Sequence, residues 1–492
     1  MSKYAVLCLV AAAWIAAWRW HEGRRAMNLP PGPKPHPIIG NLFDLTLKEP
    51  WLRALTWAEE YGNVVYLSVF GQGILFLNSY EAAVDLLEKR GAAYADKPRM
   101  VMCAELCGCE KIISFAGYGE MFRRQRRFMN SALGAASVTA YRALMMRETC
   151  AFLKRLIESP ENHRNHIRRY IGAQTLSIVY GYRVTTDDDP HLERAAETLH
   201  LLSNHIASAG AGMWLVDIFP SLKARIEECA DAPFEWVKEN MEKGTATPCY
   251  CTTLLGAGAD PKEEPDIKWT ASTIYIGSVD TTLTTLCQFI LAMIQYPNVM
   301  RKAQEEIDAL TKRNRLPTHD DRPFLPYVEA VMKECLRWAA PVPLSLPHSV
   351  MEDDVYQGML IPKGTLVFPN VWKMSRNPDL FPAAADFVPE RHLEDVDEDT
   401  ARKRDPKNYV FGFGRRRCPG VNLADSSLWI AVACMLATLD FVKAKDASGN
   451  VLEPQLEYND ASFRLPAPFP CVIKPRSEEA SRLVHESAAT YT

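Results

Sequence analysis

The 492-residue chain is 48% apolar and 24% charged, with a mean hydropathy of -0.16. It is too hydrophobic to stay disordered and too polar for a polytopic membrane protein; its net charge of -4 does not suit a chain that coats nucleic acid. Thirteen cysteines are an odd number, and Cys103, Cys107 and Cys109 lack a nearby fourth ligand, so reduced cytosol-facing thiols fit better than a disulfide scaffold or zinc site.

In chain order, Tyr4–Trp18 is an apolar run preceded by Lys3 and followed by Arg19, Arg24 and Arg25. As a helix, Tyr4–Trp20 spans about 26 Å, just short of a hydrocarbon core of roughly 30 Å. Trp14, Trp18 and Trp20 suit the interface. The small residues Ala11–Ala13 and Ala16–Ala17 leave a cleaved signal peptide open. The arginines favour a retained anchor over residues 1–20, with the remainder cytosolic. Residues 21–40 read as a basic, Pro-rich linker. Pro30, Pro31, Pro33, Pro35 and Pro37 cannot continue a helix and make a stiff spacer, a polyproline ligand being the alternative.

Residues 41–476 read as one mainly helical domain with small sheets, and 477–492 as a tail. Val64–Phe70 and Ile74–Leu77, around Gly71-Gln72-Gly73, predict a hairpin. Helices are predicted over Tyr80–Lys89, Met121–Leu133, Ala140–Ile157, Leu192–His205, Asp266–Gln295 and Met300–Leu310. Short extended pieces follow at Val355–Phe368 and Cys471–Lys474.

Three stretches carry more than packing. Trp269–Met300 holds a single charged residue, Asp280, and reads as an interior helix; its many Ser and Thr residues weaken a membrane reading. A central charge there is paired, hydrated or functional, because bare burial costs several kcal/mol. Thr281 can bond back to the carbonyl of Gly277, which bends helices. Second, Glu334 and Arg337 are neighbours on an amphipathic helix marked by Val328, Val331, Cys335 and Trp338; alone, they read as a surface ion pair. Third, Phe411-Gly412-Phe413-Gly414-Arg415-Arg416-Arg417-Cys418-Pro419-Gly420 precedes helical spacing at Val421, Ala424, Leu428, Val432, Met435 and Leu439. Pro419 suits a first helical turn. That puts Cys418 at a helix N-terminus, where amides and the dipole favour thiolate. Gly414 and Gly420 allow backbone close to the sulfur, and nearby amides can tune a metal-bound thiolate.

Phe411, Gly414, Arg416, Cys418 and Gly420 resemble the haem-ligand signature Phe-x-x-Gly-x-Arg-x-Cys-x-Gly of the cytochrome P450 haem-thiolate monooxygenases, whose iron is held by a Cys thiolate. Glu334 and Arg337 resemble the family's Glu-x-x-Arg helix, and Phe387–His392 its Pro-Glu-Arg segment. Gly277–Thr282 is similar to its oxygen-binding stretch. The resemblance runs over roughly residues 29 to 476, and the order and spacing of the motifs agree.

The resemblance implies the P450 fold, haem b, and Cys418 as the proximal iron ligand. Arg416, Arg126 and His348 would hold haem propionates, and Phe411 and Gly414 would shape the ligand loop. Thr281 would hydrogen-bond dioxygen while Asp280 relays protons. Glu334, Arg337 and Arg391 would form a structural triad. One oxygen atom from O2 would enter a lipophilic small molecule, with NADPH serving indirectly. No dinucleotide fingerprint is present, so electrons would come from the membrane-bound NADPH–cytochrome reductase, meeting Arg123, Arg124, Arg126, Arg127, Arg415 and Arg417. The implied protein is a monomer on the endoplasmic reticulum membrane, with a single-pass anchor and no nucleic-acid partner.

Closer resemblance, through Tyr94–Arg99 and Asp353–Tyr356, is to fungal microsomal members similar to O-methylsterigmatocystin oxidoreductase, which mostly serve secondary metabolism. Substrate choice would rest with Met100–Ser114, Leu201–Asp217, Ile274–Val279, Val342–Ser345 and Asp460–Phe463. Departures exist. Phe122 stands where Trp is usual, and Ser278 replaces a glycine and would narrow the dioxygen groove. The 217–257 entrance region is short, through a deletion or a misplaced exon boundary. That shortness supports an alternative, a haem-binding relative with impaired or no oxygenase activity. A peroxide-using enzyme is a further alternative, disfavoured by Asp280-Thr281.

Overall fold

A computed structural model describes residues 28–491 apart from 47, 187, 202–218, 259, 455–456 and 459–462. The predicted anchor over 1–20, the end of the helix predicted to His205, and most of the predicted substrate segments Leu201–Asp217 and Asp460–Phe463 lie outside the described residues. The chain divides into two compact units.

The first unit comprises residues up to Pro98, Pro343–Met374 and Gly412–Arg417. Helix α1 (Pro50–Tyr61) opens with a proline, whose missing amide costs nothing in a first turn. Strands β1 (Val64–Val69) and β2 (Gln72–Leu77) pair antiparallel from Val64↔Leu77 to Val69↔Gln72. The chain reverses at Phe70 (φ 47°) and Gly71 (φ 88°). That tight, positive-φ turn matches the twist of the strands and lies one residue earlier than the glycines alone indicate. Strands β3 (His348–Ser349), β4 (Asp354–Tyr356), β5 (Met359–Ile361) and β6 (Leu366–Pro369) follow. The sheet order is β1-β2-β6-β3, and β4–β5 form a separate hairpin.

Part of the predicted spacer is docked in this unit. The Tyr66 amide donates to Pro31 O at 2.9 Å, Asn41 to Ser68 O at 2.6 Å, and Phe70 to Ile39 O at 3.4 Å. Proline lacks a donor but keeps its carbonyl, so such a run can still accept from a strand. A Cβ at Gly32 would stand 2.0 Å from Tyr66 O, which requires glycine there.

The second unit comprises Arg99–Val342, Ser375–Phe411 and Cys418–Thr492. Its helices include α2 (Glu120–Leu133), α3 (Arg142–Glu158), α4 (His163–Tyr180), α5 (Pro190–Leu201), α6 (Phe219–Glu242), α7 (Tyr250–Gly256), α8 (Glu264–Gln295), α9 (Pro297–Thr311), α10 (Pro326–Trp338), α11 (Val421–Thr438) and α12 (Glu478–Tyr491). Strands β7 (Leu439–Lys443) and β8 (Cys471–Pro475) pair antiparallel. Helix α12 occupies the predicted tail, with Val484 and Ala488 buried.

Helix α8 is the spine. It packs on α4, α2, α6 and α11, and both α8 and α11 are apolar enough to cross a membrane. Yet 78% and 67% of their apolar windows are buried, so both are core helices, in keeping with apolarity around most of the circumference. The stretch from 219 to 258 folds as α6 and α7. Salt bridges tie α6 to its neighbours: Arg194–Glu228 (3.0 Å) to α5, and Lys238–Glu264 (2.8 Å) and Lys268–Asp231 (2.5 Å) to α8.

Candidate active site

Of the cysteines among the described residues, only Cys418 is exposed; Cys471 is half-buried and the other ten are buried. Its amide donates to Phe411 O at 2.8 Å, closing the loop whose intervening residues 412–417 belong to the first unit. Helix α11 begins at Val421 with Gly420 as its N-cap, so Pro419 lies in the turn before the helix, not in its first turn. Cys418 therefore precedes the helix by a turn, and the dipole acts on it more weakly than the spacing predicts, since that effect falls off within a turn. The two predicted glycines also separate. At Gly414 (φ +54°) a Cβ would stand 1.9 Å from Leu87 O, whereas at Gly420 it would stand 3.7 Å from the Cys418 sulfur, an ordinary contact. Gly414 is demanded by sterics; Gly420 is not. In the same unit as Cys418, burial lowers the pKa of Arg126, and the charge of Cys418 offsets part of that loss.

In the first unit, Lys97, His348 and Arg416 converge. Lys97 Nζ donates to Pro347 O at 2.8 Å and Leu346 O at 3.4 Å. Arg416 Nε donates to Ala95 O at 2.6 Å. His348 Nδ1 lies 2.9 Å from Tyr94 O; a carbonyl only accepts, so this nitrogen carries the hydrogen. Burial, with Arg416 nearby, pushes Lys97 down to about 7. Burial, then Lys97 and Arg416, push His348 down to about 3. Cationic groups that are dried out and depress one another form a receptor for anionic groups, because an anion reverses both terms.

The Glu334–Arg337 pair is wholly buried, not on the surface. Arg337 binds the carboxylate through Nε (2.8 Å) and Nη2 (2.7 Å) and donates Nη1 to Ser375 O and Ala384 O, both at 2.9 Å. Arg391 Nε reaches Glu334 Oε1 at 3.2 Å, and His392 Nε2 lies 2.9 Å from Oε2. Burial alone would raise Glu334; the hydrogen bonds from Arg337 and His392 hold it down at about 2.

Helix α8 is sealed from Trp269 to Ile276 and from Thr282 to Ile294, but opens between. Gly277 is exposed, and Ser278, Asp280 and Thr281 are half-buried. Thr281 Oγ1 donates to Gly277 O at 3.1 Å, the back-bond its position predicts. Ser278 Oγ lies 2.9 Å from Thr175 Oγ1 on α4 and donates to Tyr275 O at 2.8 Å, so its hydroxyl is engaged with α4.

The family model for cytochrome P450 matches residues 30–458. The chain belongs to the cytochrome P450 family. Among its curated relatives, cytochrome P450 monooxygenase claT of Ampulloclitocybe clavipes is 38% identical over 482 residues, covering 94% of each chain. Cytochrome P450 monooxygenase 136 of Postia placenta is 37% identical over 505 residues, covering 98% of this chain and 94% of its own. Tryptamine 4-monooxygenase of Psilocybe cyanescens is 36% identical over 489 residues, covering 94% and 95%.

This P450 is therefore a monooxygenase whose cofactor is haem iron. Its residues fit that cofactor: an exposed thiol on a closed loop can meet iron, and the Lys97–His348–Arg416 cluster suits carboxylates. Two members of these clusters escape sequence reasoning. Lys97 sits in the quoted Tyr94–Arg99 stretch, but its burial is a tertiary property. His392 directly follows Arg391, and only proximity to Glu334 gives it a part.

Proposed function

We propose that this P450 inserts one oxygen atom of O2 into a lipophilic small molecule of fungal secondary metabolism, with Cys418 as the iron ligand. NADPH supplies electrons through the membrane-bound NADPH–cytochrome reductase, and residues 1–20 hold the cytosolic catalytic domain on the endoplasmic reticulum membrane. The observation that carries the reading is the exposure of Cys418 where nearly every other cysteine among the described residues is buried. Fungal relatives named as monooxygenases, one of them for tryptamine, support a small organic substrate.

Haem bound through a thiolate supplies the oxygen-activating chemistry. The chain's own residues bind, orient and move protons. Arg416, His348 and Lys97 would hold haem carboxylates by charge-assisted hydrogen bonds, and Arg126 is proposed as a further propionate ligand. For His348 to donate through Nε2 as well as Nδ1 it takes up a proton, which a neighbouring carboxylate favours. Phe411 and Gly414 keep the ligand loop closed. Thr281 turns its hydroxyl from Gly277 O toward the substrate side, and Asp280 delivers protons from solvent. Glu334, Arg337 and Arg391 hold α10 to the segment after it. Of the arginines expected to meet the reductase, Arg124 is paired with Asp266, while Arg123 and Arg127 in one unit and Arg415 and Arg417 in the other suit an acidic flavoprotein. The folding of residues 219–258 into α6, tied to its neighbours by salt bridges, and α7 argues against the inactive alternative.

The deciding test is a carbon monoxide difference spectrum of the reduced protein, with Cys418→Ser beside it. A thiolate-type Soret shift present in the parent and lost in the variant is expected. Its absence from the parent sinks the enzyme reading, and turnover with NADPH that persists without reductase sinks the electron route.

A further inference from the structure

We propose that the Ser278–Thr175 hydrogen bond is a positioning clasp that fixes the rotation of the α8 turn carrying Asp280 and Thr281. The inference rests on the roles proposed above for those two residues.

The geometry begins with helix angles. At 3.6 residues per turn, Thr281 lies about 60° from Ser278 around the axis, Gly277 about 100°, and Asp280 about 160°, all on one side. That arc is the open window of α8, and Ser278 forms one edge of it. At this edge Ser278 Oγ meets Thr175 Oγ1 at 2.9 Å, and Thr175 is buried on α4. Each hydroxyl has a single hydrogen, and two arrangements close the bridge. Thr175 donates to Ser278 while Ser278 donates to Tyr275 O (2.8 Å), or Ser278 donates to Thr175 while Thr175 donates to Ile171 O (3.0 Å). Neither leaves a buried hydroxyl wanting.

The turn needs such a fastening. Thr281 and Ser278 both bond back to carbonyls of their own helix, a habit that loosens helical geometry, and Gly277 contributes no side chain to packing. One turn earlier, Tyr275 Oη donates to His191 O at 2.9 Å, so α8 is pinned just before the window, and the Ser278–Thr175 bond carries the pinning into it. A glycine at 278 could not make this contact.

The test compares Ser278→Ala, Thr175→Val, the double variant, and the hydroxyl-preserving Thr175→Ser. Ser272→Ala is the control, because Ser272 is buried on the same helix and its hydroxyl has no hydrogen-bond partner among the described residues. Loss of one hydrogen bond predicts amide hydrogen exchange about fivefold faster over residues 279–285 in either single variant. The double variant is expected to be no worse than either single one, and Thr175→Ser to match the parent. During turnover, the same variants divert reducing equivalents: NADPH, a proton and O2 give NADP+ and hydrogen peroxide in place of oxygenated product and water. The share of NADPH recovered as peroxide is expected to rise about fivefold in the singles and not in Thr175→Ser. Exchange no faster than in Ser272→Ala overturns the clasp. Faster exchange with an unchanged peroxide share overturns its positioning role. A parent that lacks monooxygenase turnover defeats the functional reading instead, and the exchange data still decide the clasp.

Discussion

Binding of haem to protein prepared without it is expected to take up a proton at Lys97. Burial and the neighbouring Arg416 put this amine at about 7, so at pH 8 only about one-tenth of it is charged, and at pH 6 about nine-tenths. Two carboxylates arriving beside it return it toward an ordinary lysine value, so the share of the uptake that belongs to Lys97 is about 0.9 proton per haem at pH 8 and about 0.1 at pH 6. Cys418 works in the opposite sense, because its thiol loses a proton on binding iron. The comparison with Lys97→Met isolates the Lys97 share, since both proteins keep Cys418 and His348. The assay is haemin titration in weak buffer with a pH indicator. Equal proton counts for parent and variant at pH 8, or a difference as large at pH 6, would refute the reasoning. The same linkage acts on folding of the haem-free chain. The unfolded state keeps the Lys97 proton between about pH 7 and its ordinary value near 10.5, while the folded state does not. Stability therefore rises with pH across that window, and the variant lacks the rise.

Glu334→Gln leaves Arg337 and His392 without their carboxylate in a dry site and is expected to cost about 3–5 kcal/mol in thermal or urea unfolding. In the parent, the depressed Glu334 value gives stability that is complete above the ordinary carboxyl value of 4.5 and is lost as pH falls toward about 2; acid titration of Glu334→Gln should lack that limb. Gly414→Ala combines positive φ with a Cβ 1.9 Å from Leu87 O and is expected to destabilise by more than about 2 kcal/mol. Gly420→Ala, with only an ordinary contact, is expected to stay within about 1 kcal/mol in the same melting experiment. Thr281→Val keeps the helix but loses the hydroxyl, so peroxide release is expected to rise with little change in melting temperature.

Much of the fold was legible because its signals are local. The alternation around Gly71 gives the β1–β2 pairing, and the near-absence of charge over Trp269–Met300 gives the core helix α8. The Thr281 back-bond is set by a spacing of four. Other features depend on what arrives from elsewhere in the chain. Whether Glu334–Arg337 is a surface pair or a buried one turns on the carbonyls of Ser375 and Ala384 and on His392, none of which that helix contains. Lys97 reads as one more polar residue until the 346–347 carbonyls close over it. Helix α6 was not foreseen either: Pro233 lies inside it, and a proline ordinarily marks a break. The start of α11 slipped because Pro419 suits a first turn and a preceding turn equally well.

The sealed character of α8 bears on how this protein could be re-engineered. Over most of its 32 residues, a changed side chain must be accommodated by neighbouring helices, and the screen would report folding defects. Positions 277, 278, 280 and 281 are different, since none of them is fully buried. A saturation library confined to those codons would sample reactivity with little of its diversity lost to misfolded protein.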